Sequence, residues 1–523
     1  MASLEEIRTT RLAKIELLKK AGMDPYPAKV PRDFCLFDAR GNFAEYMTGG
    51  VGKKAGEEVS LAGRCMAIRG QGAILFVVLD DGKGKFQAVF KKDEFAKETG
   101  EKTEKGKSGL NGLELFKLFG DAVDIGDFIS VTGTFFKTDR GEESILVKSW
   151  MMAAKSLLPL PEKWHGLTDV DERFRKRYLD FIMNPDLREI FKKKAKFWDV
   201  TREFMKKQGF LEVETPTLEV TTGGAEATPF KTHHNDYDLP VFLRISVGEL
   251  WQKRLMAAGF QRTFEIGRVY RNEGSSPEHA QEFTNMEFYW AYADYKDGMK
   301  LVTKLYRTLA EKVFGTTKFT THGHTFDLAD DWMKIDYVEE IKNQTHIDVT
   351  KASEAEMKAK LDELGVKYEG ENRERLTDTL WKYCRKNIAG PAFLINHPAL
   401  VAPLAKSVTD KKSKKGKNGE NSKPADSTRA VVQMFQPIIA GSEVGRGYSE
   451  LNDPVDQAAR FALQENLIKA GDAEAMMSDR EFVEMLEHAM PPACGFGFGE
   501  RLFAFFADKT LREVQMFPLM RPK

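Results

Sequence analysis

Arg271, Glu273, His279 and Phe283 fall within one short stretch, FEIGRVYRNEGSSPEHAQEFTNMEFYWAYADY (264–295). An apolar strand leads into Arg271-Asn272-Glu273-Gly274. A loop with Ser, Pro and His follows, and a second strand starts near Phe283. A strand–loop–strand of this kind suits a nucleotide. The guanidinium can grip a phosphate or carboxylate with two parallel hydrogen bonds, and the Phe offers a stacking face to a base. Further along, Glu287 and Tyr289 stand two residues apart on the second strand, so both point to one face. A buried ammonium needs an opposite charge and hydrogen-bond acceptors, which this pair supplies. The alternative for Glu287 is a structural ion pair.

Two other blocks accompany this one. GFLEVETP (209–216) lies upstream, and GFGFGERL (495–502) is a Gly-rich strand delivering Arg501 into a helix. The elements that must position them are legible. REIFKKKAKFWDVTREFMKKQ (188–208) reads as a long helix stopped by Gly209, and FLEVETPTL reads as a strand after it. Residues 57–155 alternate as strands, with the turn GKGK between AILFVVLDD and KFQAVF. Several short strands with Gly-rich turns suggest an OB-fold barrel. Such barrels stack bases on aromatics, for which Phe76 and Phe86 are candidates, with Gln87 and Arg64 as polar readers. The reading is therefore α+β. Residues 1–56 form a helical and extended lead-in, 57–155 the barrel, and 165–523 a mixed domain with a helical insertion at about 335–390. Residues 407–427, rich in Lys, Ser, Gly and Asn, read as a flexible loop. On the opening helix, Arg8, Arg11, Lys14, Lys19 and Lys20 read equally as a solvated face and as an RNA-backbone contact.

The 523 residues leave room for several domains, and 42% hydrophobic with 30% charged residues excludes a disordered chain. Lys plus Arg equals Asp plus Glu at 79 each, so any nucleic acid must be held by local basic patches. Cys35, Cys65, Cys384 and Cys494 are scattered, which fits a reducing compartment and gives no zinc cluster. The pairs His233–His234 and His322–His324 lack ligand partners at metal spacing and read as loop histidines. No apolar run is long enough for a bilayer, and a cytoplasmic protein is expected.

The blocks 209–216, 264–295 and 495–502 resemble motifs 1, 2 and 3 of the class II aminoacyl-tRNA synthetases. RLAKIELLKKAGMDPYP, GLTDVDERFRKRYLDFI (166–182), TTGGAEATPFKTHHN (221–235), GYSELNDPVDQ (447–457) and TLREVQMFPLMRP (510–522) extend the resemblance nearly end to end, toward the lysyl-tRNA synthetases. The resemblance implies an anticodon-reading OB-fold, a catalytic domain built on an antiparallel sheet, and a homodimer joined through motif 1. It implies ATP, lysine and tRNA(Lys) as substrates, Mg²⁺ as cofactor, and Arg271, Glu273 and Arg501 as catalytic residues. Arg271 would hold the α-phosphate and lysine carboxylate, Glu273 the adenine side and His279 the outer phosphates. Phe283 and Arg501 would sandwich the adenine. Glu443 would bind Mg²⁺, with Gln436 and Glu450 beside it. Gly224 and Glu249 would meet the α-amino group. Glu287, Tyr289 and Glu450 would surround the ε-ammonium, with Arg446 and Tyr448 nearby. Phe76, Gln87 and Glu142 would read the anticodon.

Three positions depart from the family pattern. Gln436 stands where a Glu is usual, Arg446 where an Asn is usual, and motif 3 is one residue shorter before Glu500-Arg501. Arg446 either takes over phosphate neutralisation or pairs with a surface carboxylate. Rival readings are an aspartyl or asparaginyl enzyme, a protein-lysylating ligase and a non-catalytic RNA-binding paralogue. The NMEFYWAYADY and GYSELNDP blocks, the barrel, and the presence of Arg271, Arg501 and Glu443 argue against them in turn.

Overall fold

The computed structural model describes residues 3–49, 56–70, 72–97, 110–161, 167–225, 227–274, 276, 279–368, 370, 372–399, 402–408, 431–469 and 475–523. Most of the loop expected at 407–427 lies outside the described residues. The chain forms two compact units, Met1–Asp186 and Leu187–Lys523.

In the first unit, strands Val59–Arg69, Ile74–Asp80, Lys85–Lys91, Phe128–Lys137 and Glu143–Ala154 close into a five-stranded barrel. Closure depends on a parallel pairing of Lys85–Lys91 with Glu143–Ala154, which leaves no open sheet edge there. Alternation sends Val77, Leu79, Phe86, Ala88 and Phe90 inward, all fully buried or nearly so. Phe86, 1% exposed, is thus core and unavailable for stacking on a base. The opening helix Leu4–Lys20 starts on a Ser3/Glu6 capping box. Its buried Arg11 donates to the carbonyls of Ile125 and Leu158 and to Ser156, and Lys14 pairs with Asp124 at 2.6 Å. Those two cations anchor the helix to its own unit. A second helix, Leu36–Thr48, which the sequence reading did not find, buries Leu36, Ala39, Phe43 and Tyr46.

The second unit is built on a nine-stranded, largely antiparallel sheet. Its order is Met333–Asp336, Ala392–Ile395, Met434–Ile439, Arg446–Ser449, Ala493–Gly499, Glu282–Ala291, Arg262–Tyr270 and Leu211–Glu212, with Ser442–Glu443 paired beside Met434–Ile439. Helix Leu187–Lys207 ends before Gly209, whose φ of +82° suits a glycine. Helix Tyr295–Leu309 buries Val302, Leu305, Tyr306 and Leu309 at helical spacing. Both helices pack with Phe288, Phe435, Phe496 and Phe498 of the sheet in one core. The stretch FLEVETPTL is a strand only at Leu211–Glu212 and Leu218–Glu219. The two pieces belong to different sheets, and Pro216, which has no N–H to offer a ladder, lies between them. Helices Tyr337–Thr345, Glu354–Glu363 and Arg373–Cys384 gather a separate core around Trp381.

Candidate active site

The two central strands set the geometry. Glu282–Ala291 pairs with Arg262–Tyr270 on one side and with Ala493–Gly499 on the other. Along it, Met286 and Phe288 point into the helical core, while Asn285, Glu287 and Tyr289 face a cavity of about 380 Å³. Gly495, Gly497 and Gly499 line the same cavity. A side chain at 495 would collide with Glu450 and Tyr289, and one at 497 would meet Glu287 Cγ at 2.8 Å. The glycine alternation therefore clears the volume that the motif-2 side chains enclose.

Every catalytic-domain residue singled out above lines this one cavity: Gly224, Glu249, Arg271, Glu273, His279, Phe283, Glu287, Tyr289, Gln436, Glu443, Arg446, Tyr448, Glu450 and Arg501. Arg446 therefore faces the cavity. At one end Arg271 donates to the Ile245 carbonyl at 3.3 Å and stands 5.3 Å from the Phe283 ring centre. Burial weakens its hold on the proton, and Glu273 and Glu287 oppose that effect. Exposed His279 meets Ser276 Oγ at 2.7 Å.

The other end is acidic. Buried Glu287 accepts from Val247 N–H at 2.8 Å, Asn285 at 3.0 Å and the Tyr289 hydroxyl at 3.2 Å. Burial, and next the charge of Glu249, raise its carboxyl above the ordinary range. These hydrogen bonds come from neutral donors, so the structural ion pair considered for Glu287 is not what holds it. Glu249 accepts from the Tyr448 hydroxyl and from Lys253 at 2.8 Å. Glu450, 1% exposed, takes the same Lys253 ammonium at 2.6 Å. Burial raises the Glu450 carboxyl, and Lys253 counters it. Tyr289 and Tyr448, raised well above the usual phenol by burial, stay protonated and donate.

Glu443 is anchored from both sides. Trp381 Nε1 donates to Oε1 at 2.6 Å, and Gln436 Nε2 donates to Oε2 at 3.2 Å. A carboxylate only accepts, so the Gln436 amide nitrogen must face it and the amide oxygen must face His397 Nε2, 2.8 Å away. Burial lowers His397 to about 3 and keeps it neutral. The Gln436 oxygen is thus engaged by His397, and Glu450 is engaged by Lys253. Gln436 stands beside Glu443 as a hydrogen-bond donor, and Glu450 lines the same cavity. Among the described residues no group of three or more His, Cys, Asp or Glu could hold a metal. Each Glu443 oxygen retains a lone pair beyond these bonds, so this carboxylate would be able to hold Mg²⁺.

In the barrel, Phe76 and Gln87 share a face, because Val78 pairs with Gln87 and lies two residues from Phe76. Gln87 donates to Ser144 Oγ at 2.9 Å, and Ser144 donates to the carbonyl of exposed Glu142. The three expected readers therefore lie along one partly exposed surface. Arg64, by contrast, is tied to the Gly126 carbonyl and packs on Phe128.

Comparison with known proteins separates the possibilities. Residues 169–521 match the family model for tRNA synthetases class II (D, K and N), and residues 59–153 match that for the OB-fold nucleic acid binding domain. The lysine–tRNA ligase of Roseiflexus sp. (strain RS-1) is 39% identical over 526 residues, covering 99% of each chain. The chain belongs to the class II lysine–tRNA ligase family. Family members from Thermotoga maritima and Carboxydothermus hydrogenoformans are each 38% identical over 99% of this chain, which covers 97% and 99% of their lengths. The sequence reading of this family site missed Lys253, Asn285, Trp381 and His397. Two of these had a local signal: Lys253 in its i,i+4 spacing from Glu249, and Asn285 two residues before Glu287 on the same strand face.

One buried carboxyl stands outside the cavity lining. Burial pushes Glu219 up to about 8, with the Trp251 hydrogen bond opposing. The folded state then holds its proton more tightly than the unfolded chain, whose value is 4.5. Its contribution is complete below the unfolded value and is lost as pH rises toward 8. Glu219→Gln should therefore raise the unfolding midpoint at pH 8 by roughly 2–4 °C and change it little at pH 4.5. Equal shifts at both pH values would refute the assignment.

Proposed function

We propose that the chain activates L-lysine with ATP and transfers it to tRNA(Lys). The observation that carries this reading is one cavity lined by Glu249, Glu287 and Glu450 with Tyr289 and Tyr448, and by Arg271, Arg446 and Arg501. The lysine carboxylate attacks the α-phosphorus of ATP, expelling pyrophosphate. The terminal ribose hydroxyl of tRNA then attacks the acyl carbon, and AMP leaves. Catalysis of this kind rests on positioning and charge neutralisation.

In this assignment Arg271 bridges the lysine carboxylate and the α-phosphate, and Glu273 faces the adenine side. Phe283 and Arg501 enclose the adenine, and His279 meets the outer phosphates. Glu249 and the Gly224 backbone take the α-amino group, beside Tyr448. Glu287, Tyr289 and Glu450 take the ε-ammonium. Glu443 would hold Mg²⁺, which supplies charge neutralisation on the phosphates when bound. Arg446, in the same cavity, supplies a fixed cation toward those phosphates. Arg446→Asn should then raise the Mg²⁺ concentration for half-maximal pyrophosphate exchange several-fold; an unchanged requirement removes Arg446 from that role.

Phe76, Gln87 and Glu142 we assign to the anticodon. Homodimer formation is supported by the motif-1 block and the residues just after it, where Leu211, Leu218 and Val220 are more than half exposed. Among the described residues no helix is long and apolar enough to cross a membrane. The four buried free thiols support a cytoplasmic setting. The test is direct: purified protein, ATP, labelled lysine and a tRNA(Lys) transcript. Label should become RNA-bound, and a transcript with an unrelated anticodon should accept far less. Absence of lysyl-RNA would overturn the assignment.

A further inference from the structure

Three carboxylates, Glu249, Glu287 and Glu450, border one buried end of the cavity. Like charges this close cannot all stay ionised in an empty, desolvated pocket without a cation among them. The protein supplies one. Lys253, 1% exposed, leaves the helix Glu249–Ala257 and sets its ammonium 2.8 Å from Glu249 and 2.6 Å from Glu450. The rings of Tyr448, Tyr289 and Phe482 surround that ammonium at 5.4, 5.8 and 5.9 Å, close enough for cation–π attraction. Lys253 does not itself line the cavity. It stands behind the two carboxylates and ties them together across a sequence separation from 249 to 450.

We propose that Lys253 is the positioning residue of the amine pocket: one internal ammonium fixes Glu249 and Glu450 together and balances the charge they share. This inference rests on the assignment of that pocket to lysine. Glu249 is then the partner of the α-amino group and Glu450 of the ε-ammonium, so the bridge sets the distance between the two subsites. Lys253 offsets one of the three carboxylates, and the two ammonium groups of bound lysine would offset the others, while Arg271 faces its carboxylate. A bridge of this kind fixes side-chain length as well as charge, which a single carboxylate on a flexible stem would not do.

The experiment compares Lys253→Met, Lys253→Arg, Glu450→Gln and the Lys253→Met/Glu450→Gln pair in lysine-dependent pyrophosphate exchange. Wild-type activity with lysine is the control; if it fails, the lysine assignment fails rather than the role of Lys253. The expected result for Lys253→Met is a KM for lysine raised at least tenfold, with kcat within about threefold and KM for ATP unchanged. The preference for lysine over ornithine should narrow, and Lys253→Arg, which keeps the cation, should retain most of it. The two neutralising changes should be strongly non-additive, since each removes one member of the same pair. An unchanged lysine KM and intact ornithine discrimination in Lys253→Met would overturn the proposal, as would additive effects. If Lys253→Met does not fold, the double variant decides. Recovery of folding on removing the stranded Glu450 charge supports the pairing. Failure of both to fold makes Lys253 scaffold only and overturns its role in positioning.

Discussion

Arg271→Ala should lower kcat/KM for lysine-dependent pyrophosphate exchange by about 10²–10³-fold, the usual cost of deleting a donor aimed at developing charge. The side chain leaves the end of the Arg262–Tyr270 strand and faces the cavity next to the Phe283 ring. Among the described residues its side chain donates to the Ile245 carbonyl, at 3.3 and 3.4 Å. Arg271 lines the cavity, where a guanidinium fork can grip an entering carboxylate or phosphate. Arg271→Lys should rescue little of the loss, because an ammonium cannot reproduce two parallel hydrogen bonds to a carboxylate or phosphate. The loss should appear in kcat as well as in KM, since the bonds strengthen as charge builds on the α-phosphate. A variant within tenfold of wild type would remove Arg271 from the centre of the reaction.

Glu287→Gln should act on the amino acid instead. The change preserves shape, but the carboxylate is held by Val247 N–H, Asn285 and Tyr289, all of which expect an acceptor. The Gln amide puts N–H₂ where one of those acceptors stood, and the negative charge opposite the ammonium is gone. Removing one partner of a buried charge pair costs roughly 3–5 kcal/mol, so KM for lysine should rise by at least about 10²-fold. KM for ATP should stay near wild type. Because burial and Glu249 raise the Glu287 carboxyl, the wild-type enzyme should also lose affinity for lysine as pH falls and that carboxyl takes up a proton. Glu287→Gln should remove the share of this dependence that Glu287 carries, leaving that of Glu450, whose carboxyl burial also raises. A lysine KM unmoved by the substitution would place the ammonium elsewhere.

What was legible in the sequence is what short-range periodicity encodes. The alternation of NMEFYWA placed Glu287 and Tyr289 on one face and Met286 and Phe288 on the other, as the structure has them. Strand runs with Gly-rich turns gave the barrel, and Gly209 gave the end of its helix. The failures are of two kinds. Phe86 and Phe76 look equivalent in sequence, yet strand parity puts the first in the core and leaves the second half-exposed. The second kind is long-range. Trp381 reaches Glu443 across 62 residues from the helical insertion, and His397 orients Gln436 across 39. No periodicity announces such contacts, so the hydrogen bonds that orient Gln436 and Glu443 were not legible. Lys253 was hidden differently: a lysine on a helix usually reads as a solvated charge, and only tertiary packing buries this one between two carboxylates.

The most direct measurement is pyrophosphate exchange with lysine set against norleucine, which has the same chain length and lacks the terminal ammonium. A pocket lined by buried acceptors should reject the analogue that leaves them unpaired, so lysine should be preferred by roughly 10³-fold or more. Norleucine supporting exchange within tenfold of lysine would contradict the claim that these carboxylates read the amine.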